Sequence, residues 1–430
     1  MIKVLGASWA LFLGMFMLMV GNGLQGTLLG LRGAAEDFSA FQMSFVMSAY
    51  FVGFLGGSRL APEMIRRVGH VRVFAALGSM ISAVLILYPV LPEVWAWTLG
   101  RVVIGFCFSG VYVTAESWLN NAATNETRGQ ALSVYMIVQM GGIVAAQAII
   151  SQGDVSGYTL FIIPSVLVSL AFAPILLSVV PTPAFDSTKP MRLRDLIKAS
   201  PLASVGMFLL GGVYSAQFGM VAVYGTEIGL SVARISILVS VIYVSALVSQ
   251  YPIGWLSDRM DRRVLIIAMG AAGALGAVLA TLFGAGSFTM LMIGAGFVGG
   301  TSNPLYSLLI AYANDYLEHE DMAAASAGFL FINGVGAIAG PLVIGWGMGV
   351  IGPHAFWLLI TALLGAVAIY GLYRMTRRPT ATPVEDMVPY TPVSPTSSPV
   401  LAEVAQEIYI DADEQQESEA QQAERVATTP

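Results

Sequence analysis

The chain has 430 residues, of which 56% are hydrophobic and 11% charged. A soluble globular domain carries about 25% charged residues, so this balance excludes one and makes the chain an integral membrane protein. Its net charge of −6 comes from acidic residues gathered after Pro379; the membrane part is net basic and nothing in it suggests a nucleic-acid partner.

A spanning helix takes about 20 mostly apolar residues. That window predicts spans near 9–31, 41–62, 72–92, 95–117, 129–151, 158–180, 202–226, 234–256, 264–285, 288–313, 323–349 and 354–375. Twelve spans make an all-α membrane protein. Lys3 and the first apolar run imitate a signal peptide, but the run continues to about Leu31 with no small-residue cleavage site, so it reads as the first span. Arg59, Arg66, Arg67 and Arg72 flank the second connection, Arg128 the fourth, and Lys189, Arg192, Arg194 and Lys198 the sixth. Arg259, Arg262 and Arg263 lie in the eighth and Arg374, Arg377 and Arg378 follow the last span, whereas the odd connections hold only Arg32 and Arg234. Cytoplasmic loops carry the excess of Lys and Arg, so both termini are expected in the cytoplasm. The tenth connection breaks the pattern, with Asp315, Glu318, Glu320 and Asp321 and no cation.

The long basic connection 181–200 divides the spans six and six. The expected organisation is a six-helix bundle over 1–185, a cytoplasmic linker over 186–200, a second six-helix bundle over 201–378 and an acidic, disordered tail over 379–430. The tail is rich in Pro, Ser, Thr, Glu and Gln and lacks the apolar content for a core. A shift of about 194 residues lays Gln139 over Asn333 and Gly142 over Gly336, and a shift of about 193 lays Tyr50 over Tyr243, which points to two parallel pseudo-repeats.

Buried polar side chains are expensive in a bilayer, so their placement carries functional information. Asn22 and Gln25 lie in span 1, Arg101 and Glu116 in span 4, Gln139 and Gln147 in span 5, Gln217 in span 7, Gln250 in span 8, Asn303 in span 10 and Asn333 in span 11. Spans 3, 6, 9 and 12 hold none, and are expected to face lipid around a central aqueous cavity. The competing reading is that single amides glue neighbouring helices at about 0.6–2 kcal/mol each. Asn22, Gln25, Arg101, Gln139, Gln217, Asn303 and Asn333 are the candidate cavity residues, with Tyr112, Tyr214, Tyr243 and Tyr306 as amphipathic walls. Arg101 competes with a role as an interfacial anchor beside Trp95 and Trp97. Glu116 is placed to pair with Arg128 or a loop arginine at an inner gate. Single Cys107 excludes a disulfide framework, and with the three histidines in or beside loops no metal site, catalytic cluster, cofactor loop or enzyme activity is expected.

In QYPIGWLSDRMDRRVL, Gln250–Leu265, an apolar run ends in Asp258, Arg259, Asp261, Arg262 and Arg263 and resumes at Val264. Gly254, Leu256, Asp258, Arg259, Arg262 and Arg263 resemble the loop signature of the major facilitator superfamily, with Asp261 where the second glycine usually stands. The first-half counterpart, Gly56–Phe74, has Arg66 at the aspartate position, then Arg67 and a matching Gly69. Together with Ala115–Met136, it is similar to the bacterial YcaD-like branch of that superfamily. The resemblance covers about residues 5–378 and implies a twelve-helix secondary transporter of the inner membrane with Arg101 at substrate or in a proton-coupling network. Arg66, Arg67, Gly69, Glu116, Arg128, Gly254, Asp258, Arg259, Arg262 and Arg263 then form a gate or latch. One fixed cation among neutral amides suits a small anionic or zwitterionic solute, carried by a monomer with the bilayer and, as a candidate coupling ion, protons as its other partners. Multidrug or metabolite efflux, or a non-transporting scaffold acting through the tail, are the alternatives.

Overall fold

The structure is a computed structural model that describes residues 2–122, 125–177, 191–377 and 390–394. Its helices are α1 (Ile2–Ala35), α2 (Ala40–Val68), α3 (His70–Val90), α4 (Val94–Ala122), α5 (Asn125–Ile150), α6 (Thr159–Leu177), α7 (Leu193–Ala199), α8 (Pro201–Ser215), a π turn (Ala216–Met220), α9 (Val221–Glu227), α10 (Val232–Ser257), α11 (Arg262–Phe283), α12 (Phe288–Asn314), α13 (His319–Ile351) and α14 (Ala355–Met375). Short polar caps set their starts. Ser39 and Gln42 form a reciprocal capping box before α2, and Ser231, Asp261 and Ser287 accept first-turn amides of α10, α11 and α12. Gly69, at φ 87°, lets the chain leave α2 and enter α3 without a connecting loop.

Among the described residues, ten helices are long and apolar enough to cross a membrane, with α8, the π turn and α9 forming one of them. Ten of the twelve expected spans thus meet this test, and α6 and α12 are helices at the other two expected places, so the count of twelve is not confirmed by it. The described apolar part of α6, Thr159–Pro174, is shorter than a span. Helix α12 has 27 residues, but Thr301, Ser302, Asn303 and Pro304 dilute its hydropathy at the centre. We call the end of the bundle that holds the start of α1 and the end of α14 the terminal face, and the other end the opposite face.

Apolar burial gives little drive for association inside lipid, so helices there rely on close backbone approach at small residues. A Cβ on Gly53 of α2 would lie 1.9 Å from the Val102 carbonyl of α4, and one on Gly105 of α4 1.9 Å from the Tyr50 carbonyl of α2. In the second half a Cβ on Gly299 of α12 would lie 2.2 Å from the Ile242 carbonyl of α10, and one on Gly336 of α13 1.9 Å from the Phe208 carbonyl of α8. Helices α3, α6, α11 and α14 turn large apolar side chains such as Leu87, Leu170, Leu282 and Ile369 outward. The expected division between lining and lipid-facing spans is nonetheless incomplete. Only 39% of the apolar window of α10 is buried, against 44% for α3, α11 and α14, because Val244, Val248 and Tyr251 also point outward.

Two segments expected as connection and tail pack on the bundle. The expected linker contains α7, whose Leu196 is buried against Gly328 of α13, and Met191 donates its backbone N–H to the Ala324 carbonyl at 3.0 Å. Within the expected disordered tail, Val393 and Ser394 are buried, because an aromatic and an aliphatic side chain find apolar cover there and their backbone finds polar partners. The rest of the tail lies outside the described residues.

Candidate functional site

Arg101 sits seven residues into α4, about 10 Å below the opposite face, and is fully buried. Its Nη1 donates to Gln25 Oε1 at 2.7 Å and its Nη2 lies 3.7 Å from Met47 Sδ. The guanidinium also stands over the Tyr50 ring at 4.7 Å and the Phe218 ring at 5.8 Å. The interfacial-anchor reading fails because Arg101 does not reach the surface, whereas Trp95 does. Among the described residues no carboxylate pairs with Arg101, and its Nε meets no acceptor. An amide oxygen and two ring faces offset part of the desolvation of a guanidinium, but leave its net charge in place.

The other predicted polar residues of the first half join this cation. Gln25 Nε2 donates to Asn22 Oδ1 at 2.9 Å, Asn22 Nδ2 to the Tyr112 hydroxyl at 3.3 Å, and Tyr112 to Met19 Sδ at 3.3 Å. The i, i+3 spacing of Asn22 and Gln25 puts both amides on one face of α1. Gln139 is buried on α5, and Glu116 accepts a 2.9 Å bond from the Tyr135 hydroxyl across the α4–α5 contact. The side chain of Arg128, its expected partner, lies outside the described residues.

In the second half Gln217 and Ser302 exchange hydrogen bonds of 2.9 and 3.3 Å, and Asn333 Nδ2 caps the Met207 carbonyl at 3.0 Å. Gln217 belongs to the π turn, whose Phe218 brings the second half against Arg101. The π turn breaks the seventh span at the site, a recurrent place for such irregularities. Tyr214 stacks on Phe218 at 6.1 Å and meets Phe51 edge-on at 6.3 Å. Tyr243, Asn303 and Tyr306 are buried, and neither the Tyr243 hydroxyl nor Asn303 Nδ2 has an acceptor. Thus Asn22, Gln25, Arg101 and Tyr112 form one network, Gln217 a second, and Asn333 serves helix packing. Met47, Tyr50, Phe51 and Phe218 complete the cage and were missed, because apolar and aromatic residues in a membrane helix look like ordinary packing. Only the pairing of Tyr50 with Tyr243 in the repeat could have marked one of them.

The latch residues divide differently from expectation. Arg66 and Arg67 both bind Glu63 of their own helix, at 2.6 and 2.8 Å, and are exposed, so they bridge no second helix. Arg259 lies over the Trp255 ring at 4.4 Å, and Arg263 pairs with Asp261 at 2.6 Å, closing the turn locally. Asp258 accepts the backbone N–H of Tyr390 at 2.7 Å, a partner in the tail, instead of an arginine or a helix start. Burial holds its carboxyl above the usual range, while the Tyr390 N–H and the nearby Arg262 and Arg259 pull it back down. Gly254 leaves room for the Tyr390 ring, whose Cδ1 would lie 2.8 Å from an added Cβ.

Among the described latch residues, a bridge between segments is made by Arg262 with Asp315, both buried, with Arg262 also donating to the Ala311 carbonyl at 3.3 Å. The acidic tenth connection thereby acquires a purpose. Removing one partner of a buried ion pair typically costs 3–5 kcal/mol, whereas replacing both by apolar groups costs far less. Asp315→Ala should therefore lower stability by about 3 kcal/mol or more, and Arg262→Met/Asp315→Leu should recover most of it. Thermal unfolding in detergent checks this.

Residues 11–231 and 203–404 match the description of the Major Facilitator Superfamily. The uncharacterised MFS-type transporter YcaD of Escherichia coli is 28% identical over 334 residues, 76% of this chain and 85% of its own length. YcaD of Salmonella arizonae is 25% identical over 77% of this chain and 86% of its own. Among solved structures, the nucleoside transporter NupG superposes with a TM-score of 0.72 at 15% identity, covering 88% of this chain and 100% of its own. A bacterial homologue of the lysosomal transporter Spinster gives 0.63 at 13% identity, over 95% and 98% of the two chains. With the family match running over most of its length, the chain belongs to the major facilitator superfamily, as a transporter of its YcaD-like branch.

Proposed function

We propose that the chain carries a small organic anion or zwitterion across a bacterial inner membrane by alternating access, as a monomer with both termini in the cytoplasm. The two halves, 1–185 and 201–378, rock about a site walled by Arg101, Gln25, Tyr50 and Phe218. The observation that carries this reading is the buried guanidinium without a carboxylate, whose Nε still needs an acceptor. An arginine at depth in a bilayer costs at least about 2.5–3.5 kcal/mol, a cost kept only where the charge is used. The donors left open at Tyr243 and Asn303 also suit a ligand rich in acceptors. The rings of Phe51, Tyr214 and Phe218 would take its apolar part.

Parallel glycine contacts support the twelve-span, two-repeat reading. Gly105 against Tyr50 in the first half and Gly299 against Ile242 in the second are parallel contacts, the glycines shifted by 194 residues and their partners by 192. The Lys and Arg excess of the terminal face supports its cytoplasmic placement. Glu116, a buried carboxyl beside the Tyr135 hydroxyl, is the candidate proton carrier.

Ligand-induced thermal stabilisation of the purified protein, across a library of organic anions, zwitterions and lipophilic cations, tests this. A ligand present at about 100 times its Kd adds about 2.7 kcal/mol. Stabilisation by anions or zwitterions is expected. Stabilisation by lipophilic cations alone overturns the reading in favour of multidrug efflux.

A further inference from the structure

A short piece of the C-terminal tail occupies a groove at the terminal face. On one side α5 presents Ser133, Met136 and Ile137, and on the other α10 presents Leu247, Tyr251 and Gly254, around a cavity of about 450 Å³ that Tyr390 and Pro392 help to line. The groove thus lies on the seam between the first half and the second. The hydrogen bonds of Tyr390 and Val393 go to the second half. The Tyr390 N–H binds Asp258 Oδ1 at 2.7 Å, and its hydroxyl donates to Gln250 Oε1 at 2.7 Å and lies 3.4 Å from the Pro304 carbonyl. Three residues on, Ser307 Oγ accepts the Val393 N–H at 2.9 Å and donates to the Val393 carbonyl at 3.0 Å. This pairing of one hydroxyl with both backbone groups of a buried residue reads main chain, while the gap beside Gly254 reads an aromatic ring.

We propose that this groove is a binding site for an extended Tyr-Thr-Pro-Val-Ser segment, that its occupant is the chain's own Tyr390–Ser394, and that the docked segment restrains movement of α5 against α10. The tether allows it. Twelve residues lie between Arg377 and Tyr390, and at full extension they let the two stand about 45 Å apart. A linker of this length presents its segment at roughly millimolar effective concentration, so modest intrinsic affinity keeps the groove filled. The ring packed on Gly254 and the carboxylate of Asp258 then belong to the tail site, so two residues of the loop signature serve this chain's own C-terminal segment. The restraint rests on the alternating-access reading; docking itself does not.

The test uses the full chain with Cys107→Ala, which removes the single native thiol. Maleimide labelling of Val393→Cys is expected to be about tenfold slower than labelling of Ser397→Cys, the ratio for a groove filled roughly nine-tenths of the time. Gly254→Leu, which fills the ring's place, should erase that difference, and so should Tyr390→Ala, which leaves the bundle untouched. Equal rates in the unaltered groove, or slow labelling that survives both substitutions, would overturn docking. Spin labels on exposed Val68→Cys and Met375→Cys, one in each half at the terminal face, report the restraint. A second distance population should appear with Tyr390→Ala. Fast labelling with an unchanged distance distribution would overturn the restraint and leave the solute-binding reading intact, because neither readout needs a solute.

Discussion

Arg101→Gln is expected to abolish stabilisation by organic anions while the protein folds and melts at the same temperature or higher. The reasoning runs through what each state contains. In the empty protein the guanidinium has one amide oxygen, a thioether and two ring faces but no counter-charge, so its removal relieves an uncompensated buried cation. On the proposed reading the bound solute would supply the missing charge at a buried site, where such a pair is strong. Losing it should cost about 3–4 kcal/mol of binding, or roughly 100- to 1,000-fold in affinity. Arg101→Lys keeps the charge but loses the planar fork that reaches Gln25 while lying over Tyr50, so an intermediate loss is expected. Unchanged anion binding in a folded Arg101→Gln protein would remove Arg101 from the site. Opposite signs for stability and binding distinguish a binding role from simple packing.

Gly336→Leu should give the largest loss of folded protein among single substitutions in the helix contacts. Its Cβ would stand 1.9 Å from the Phe208 carbonyl of α8, and the obstructing atom is backbone, which no rotamer change can move aside. Accommodation requires α8 and α13 to separate, and their separation also opens the Asn333 to Met207 bond. About 3 kcal/mol or more is expected, seen as a lowered melting temperature or loss of the monodisperse species in size-exclusion chromatography. Gly365→Ala on α14 is the matched control. Nothing lies within 4 Å of the added methyl, so it should be neutral or stabilise by up to about 1 kcal/mol through helix propensity. Equal behaviour of the two variants would mean that close backbone contact is not what holds α8 to α13.

What could be read from the sequence follows from which interactions are local. Span positions, the Ser39 and Ser231 caps and the place of Arg101 inside a span depend on composition or on neighbours within a turn, and each is visible in one dimension. The partner of Arg262 was not, since Asp315 lies 53 positions away and the acidic connection holding it looked like an exception to loop charge. The Arg101 cage escaped for a different reason. Met47, Tyr50 and Phe218 have side chains that suit lipid, core and cation equally well, so only three-dimensional proximity assigns them. Tyr390–Ser394 was hidden by averaging, because five residues with an aromatic and a valine disappear in a tail whose composition is otherwise that of an unpacked segment.

The network that begins at Arg101 has a sense of direction. Arg101 donates to Gln25, Gln25 to Asn22, Asn22 to Tyr112 and Tyr112 to Met19, so four donors in series point the same way and the last acceptor is a thioether. Their dipoles add head to tail, with the fixed positive charge at the head holding each carbonyl turned toward it and each amine turned away. On the proposed reading, an anion arriving at Arg101 would cancel the field that sets this orientation. Gln25 would then rotate its amide and offer N–H to the newcomer, and the reversal would pass down the row until Tyr112 turned its hydroxyl from Met19 to the Asn22 carbonyl. Charge at one end of the row would in this way be converted into hydroxyl orientation at the other, without any helix having moved.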